Sequence, residues 1–236
     1  MTAQERLQAA RMAAQEGRFS EALSEYIWFH EHALEERPSL HGVRLSFALG
    51  YWLELAEQYP PARAALQSIL DEKTARSERG DQDWELFNDV TAINRESGKD
   101  EATYDLFVLI NKANPAFAAR CVEVAMPAIV KAADFTLARS FIRDPEKSVE
   151  QLASRLIEGI EWANRSLHPE RQADITDHKI RLYAEEVGML TQIVHMSGDS
   201  ERADALLEQA ISLVGSPALQ EAVRTALASV YSFANR

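Results

Sequence analysis

Apolar residues recur along this chain every three to four positions, and the recurrence breaks where glycine or proline stands. In ALQEAVRTALASVYSFANR, residues Leu219, Val223, Ala226, Leu227, Val230, Tyr231 and Ala234 fall on one stripe. Gln220, Glu221, Arg224, Ser229 and Ser232 fall on the other side. That period predicts an amphipathic helix. Strand-like alternation is confined to short stretches that nothing pairs into a hairpin, so the reading is all-α. Breakers at Gly17, Pro38, Gly98, Pro115, Pro145, Pro169, Gly198 and Pro217 separate about twelve helices joined by short connections.

The joints repeat. In YWLELAEQYPPARAALQSIL two helical patterns meet at Pro60 and Pro61. Proline is disfavoured in a helix interior but is tolerated at the first helical position, where its missing N–H has no partner to lose. The pair therefore predicts a helix–turn–helix joint, with the two prolines occupying the turn and the first position. AAQEGRFSEALSEY places Gly17, Phe19, Ala22 and Tyr26 at comparable offsets to Tyr59, Ala62 and Leu66. Gly98, Ala102, Leu106 and Leu109 follow suit, as do Phe135, Ala138 and Ile142, and then Gly198, Ala203, Leu207 and Ala210. A small residue near the start of each second helix lets two antiparallel helices approach closely.

This pattern resembles the tetratricopeptide repeat family. Leu49, Gly50, Tyr59, Ala62, Leu66 and Ile69 match its spaced consensus, and Gly198, Ala203, Leu207, Ala210 and Pro217 match its second half. The anchor alanines 22, 62, 102, 138 and 203 lie 40, 40, 36 and 65 residues apart, against a family period of about 34. A longer-period HEAT- or armadillo-like array stays open, and the 148–168 helix fits no repeat position. The resemblance implies a right-handed α-solenoid of antiparallel helix pairs, one domain over 1–236 with 217–236 as a capping helix. It further implies that the first helix of each pair lines a concave groove. Carried over by position, that groove holds Arg11, Arg44, Tyr51, Trp84, Phe87, Asn88, Arg95, Arg120, Lys131 and His195. Trp84 and Phe87 are residues more often found in a core than against a ligand, so the partner-binding set is Arg11, Arg44, Tyr51, Asn88, Arg95, Arg120, Lys131 and His195. A basic and aromatic groove suits a protein or peptide segment that is acidic or ends in a carboxylate.

Composition narrows the remaining classes. The 236 residues carry 25 Lys and Arg against 37 Asp and Glu, a net charge of −12, which disfavours nucleic acid and anionic membrane as partners. No run of about 18 apolar residues predicts a membrane span, and the first residues carry no secretory pattern. Cys121 is the only cysteine; with no activating neighbours it reads as a small core residue in a reducing cytoplasm. His30 and His32 in HEH point nearly opposite ways on a helix. The histidines are accordingly expected to be solvated or capping, with no metal or cofactor. No nucleophile elbow, phosphate loop or dinucleotide fingerprint appears. The reading is a non-enzymatic adaptor. The alternative is a self-associating assembly protein, a homodimer built on the 148–168 helix or the C-terminal helix, with a helical enzyme as the third reading.

Overall fold

The computed structural model describes residues 1–234, with side chains described through Val230. Tyr231 and Ala234 of the expected stripe, and Ser232 opposite, therefore lie outside the described side chains. The described residues are helical throughout, with no strand among them. None of these helices is long and apolar enough to cross a membrane. The helices group into two compact units, Met1–Ala132 and Ala133–Arg236.

The first unit contains α1 (Ala3–Gln15), α2 (Phe19–Glu36), a 3-10 turn (Pro38–Leu40) and the single turn α3 (His41–Arg44). These are followed by α4 (Phe47–Gln58), α5 (Pro60–Glu78), α6 (Trp84–Glu96), α7 (Asp100–Ala113) and α8 (Pro115–Lys131). Helix starts are specified locally. Thr2 and Glu5 form a reciprocal capping box on α1, while Asp83 and Asn114 cap α6 and α8 with side-chain oxygens. At the α4–α5 joint both prolines lie inside α5 as its first two residues, and Tyr59 alone makes the turn. The core is built from Phe29, Leu49, Trp52, Phe87, Ile93 and Phe107, all essentially without solvent contact. Consecutive helices pack on each other, and α1 also touches α4, α4 touches α6, and α6 touches α8.

The second unit holds α9 (Phe135–Phe141), α10 (Pro145–Ser166), α11 (Pro169–Met196), α12 (Ser200–Leu213) and α13 (Pro217–Ala234). The 28-residue α11 organises it, packing against the other four helices. Val149, Leu152, Val187, Val194, Leu206 and Val223 form its core. Tyr183 closes it by donating its hydroxyl to the Ala210 carbonyl at 2.9 Å.

Four joints share one geometry. Gly17, Gly98, Ala133 and Gly198 all adopt positive φ, and the residue five positions later is a buried small one: Ala22, Thr103, Ala138 and Ala203. At the three glycine joints the following N–H returns to the carbonyl five residues back, as in Arg18 to Ala13 at 2.8 Å and Lys99 to Asn94 at 2.8 Å. This is the Schellman closure of a helix end. The third anchor therefore differs from the sequence expectation. Ala102 is exposed, and Thr103 takes the contact, accepting a hydrogen bond from Asn94 Nδ2 at 3.1 Å. Leu109 is likewise exposed, at 44%.

Candidate functional site

The sequence-derived groove residues are only partly brought together. Arg11 on α1 lies over the ring of Tyr51 on α4, its guanidinium carbon 4.0 Å from the centroid. Beneath them is a cleft of about 150 Å³ lined by Phe19, Tyr26, Glu54 and Gln58 as well as the stacked pair. A guanidinium held over an aromatic ring uses its face and keeps its N–H edge available to an acceptor. Arg11 forms no ion pair among the described residues. Burial pushes the Tyr26 phenol up to about 12, with Arg11 pulling the other way, so that hydroxyl remains a donor. Phe47, one turn before Tyr51 on α4, is 66% exposed.

The other members have separate surroundings. Arg95, near the end of α6, donates to the Leu45 carbonyl at 2.9 Å and to Glu96 at 3.0 Å. Exposed Arg120 sits 5.6 Å from the Phe117 ring centroid on its own helix. Lys131 pairs with Asp100 at 2.6 Å. Asn88 is buried, its amide nitrogen 3.2 Å from His41 Nε2. Phe87 is fully buried core, whereas Trp84 is half-buried and stacks on His41. His195 is an exposed residue of α11 in the second unit.

Arg44 departs most from its expected surface role, being only 5% exposed. Its guanidinium grips Asp89 on α6 through both terminal nitrogens and donates to the His30 carbonyl at 3.2 Å. Lys73 on α5 adds a second cation on Asp89. His30 Nε2 lies 3.8 Å from the same carboxylate. The expectation of solvated or capping histidines thus fails at His30, which is buried on α2, while His32 across that helix is near the surface. Burial, then the Arg44 charge, holds the His30 imidazole down to about 4 despite Asp89. Burial alone would raise the Asp89 carboxyl, but hydrogen bonds and charge from Arg44 and Lys73 override it and keep it low. The cluster is therefore a neutral imidazole beside a carboxylate shared by two cations.

Sequence reasoning missed His30, Lys73 and Asp89. A signal existed: His30 lies four residues after Tyr26 on the stripe shared with Ala22, Phe29 and Ala33, and Asp89 interrupts the apolar run of α6. A polar residue on a core stripe needs a partner. Cys121 is buried and its thiol is pushed up to about 11 by burial, which leaves it a poor nucleophile. Among the described residues no three His, Cys, Asp or Glu side chains gather as metal ligands. No protein-family model matches the chain, and no curated protein matches it significantly.

Proposed function

We propose that this chain is a non-enzymatic adaptor. In this reading the first unit is a tetratricopeptide-like solenoid that holds an acidic protein segment against the face formed by α1 and α4. The contact of α1 with α4 supports this arrangement, because first helices that neighbour one another make a continuous surface. The single observation that carries the binding role is Arg11 stacked on Tyr51 at 4.0 Å. Such an arginine is held in place and still offers N–H donors to a carboxylate. Phe47 on the same face of α4 offers an apolar anchor next to it. Attraction at a few ångströms outweighs the repulsion of the chain's distant net charge, which is screened beyond about 8 Å at physiological salt.

Fluorescence anisotropy with a library of acidic peptides tests the reading. Binding should fall at least about tenfold in Arg11→Glu and in Tyr51→Ala, with helical content unchanged, and should weaken as salt rises. Equal binding by wild type and Arg11→Glu would overturn it.

A second reading, self-association, is favoured by Trp162 on α10, which is 52% exposed. If α10 pairs copies, light scattering should show a dimer that Trp162→Ser converts to monomer. A wild-type monomer at all concentrations removes this reading.

A further inference from the structure

A cavity of about 370 Å³ between α2, α5 and α6 opens onto the buried cluster, and its charges are sorted by depth. Arg44, Asp89 and His30 form the floor with side chains no more than 5% exposed, and Lys73 joins them at 25%. Two cations there meet one carboxylate, leaving one positive charge in excess. After serving Asp89, Lys73 retains two N–H groups. His30 Nδ1 and Arg44 Nε have no hydrogen-bond partner. Arg44 Nη1 faces His30 Nε2 at 3.5 Å, which assigns the proton of the neutral ring to Nδ1. Buried donors are unfavourable unless an acceptor meets them, and the charge in excess, on Lys73, lines the same cavity.

The mouth carries the opposite sign. Glu31, Glu72 and Glu85 are exposed carboxylates on the rim, whereas Arg76 is already engaged by Asp81 at 2.7 Å. Leu34 and Ile69 supply apolar wall between the two levels. A simple anion would be repelled at the rim, and a simple cation would meet the excess positive charge of the floor. A molecule with both charges matches both levels.

We propose that this cavity binds a small zwitterion of the α-amino-acid class, its carboxylate inward on Arg44, Lys73 and His30 and its ammonium among Glu31, Glu72 and Glu85. The site is separate from the Arg11–Tyr51 face and stands or falls without it.

Thermal unfolding of the whole chain, with each common amino acid in turn as the probe, tests the proposal. At least one should raise Tm by roughly 5–10 °C at about a hundredfold excess over its Kd. Its N-acetyl and carboxamide derivatives, each lacking one charge, should not. The double variant Glu31→Gln, Glu72→Gln removes two surface carboxylates without touching the buried pair. It should keep the unliganded Tm and weaken calorimetric binding of the responding amino acid several-fold, while Lys73→Met should abolish it. The proposal is overturned if no amino acid protects the protein. It is also overturned if acetate protects as well as the amino acid, or if the double variant binds as tightly as wild type.

Discussion

The indole N–H of Trp52 donates to the carbonyl of Ala62 at 2.9 Å, bonding α4 to α5 across a turn made by Tyr59 alone. Two prolines fix the start of α5, and one buried side chain fixes its direction. Trp52→Phe keeps an aromatic ring but removes the donor, and is expected to cost about 1–3 kcal/mol. Urea unfolding followed by far-UV circular dichroism reads this as a lower midpoint at unchanged slope. An unmoved midpoint would mean that the bond contributes nothing to the joint.

Asp89 is held by Arg44 and Lys73 in the interior of the first unit. Asp89→Asn leaves two cations without their counter-charge and is expected to destabilise by about 3–5 kcal/mol. Replacing all three by apolar residues, Asp89→Leu with Arg44→Met and Lys73→Met, should recover most of that loss. Chemical denaturation of both variants decides the matter. A triple variant no more stable than Asp89→Asn would show that the ionic cluster is needed for packing as well as charge balance.

His30 couples the same cluster to pH. Its folded value near 4 lies below the ordinary 6.5, so the unfolded chain takes up a proton that the folded chain refuses. Stability from this group is complete above about pH 6.5 and falls as pH drops towards 4, by on the order of 3 kcal/mol in all. The Asp89 carboxyl, held below its ordinary 3.8, adds a further loss at still lower pH. His30→Gln should flatten the slope between about pH 6.5 and 4 while leaving the more acidic loss in place. Equal slopes for variant and wild type would exclude His30 as its source.

Ala133 occupies with φ 57° the place that glycine holds at three other joints. A Cβ in the left-handed region costs about 1–2 kcal/mol, and glycine returns roughly 0.5–1 kcal/mol of that as unfolded-state entropy. Ala133→Gly is therefore expected to stabilise by about 0.5–1 kcal/mol. Thermal unfolding should show a higher Tm, and a lower one would mean that the methyl group makes a contact worth more than its strain.

Helix content and the positions of the joints were legible because glycine, proline and capping carboxylates act within one turn of chain. The anchor at Thr103 was misplaced by one residue because alanine was sought by type; counting five positions from Gly98 finds it. Arg11 and Tyr51 stood in the expected groove set without being paired; their contact comes from the packing of α1 on α4. Arg44 was not legible, because whether an arginine faces solvent or a buried carboxylate 45 residues away is decided by tertiary packing. His195 shares the helical position assigned to the set, yet it belongs to the second unit. The local pattern does not encode that division.

Leu86 through Asn94 are buried without interruption along α6, so the middle of this helix has no solvent side and only its ends, at Glu85 and Arg95, reach the surface. A strictly modular array can end after any pair, because each unit contacts only its neighbours. Here a chain stopped before Asp83 would leave α5 facing water where α6 had been, and a chain begun there would expose the far flank of α6. The first unit is thus indivisible at its middle. Truncation libraries should yield no soluble fragment with an end between α5 and α7, and insertions of whole helix pairs should be tolerated only away from that spine.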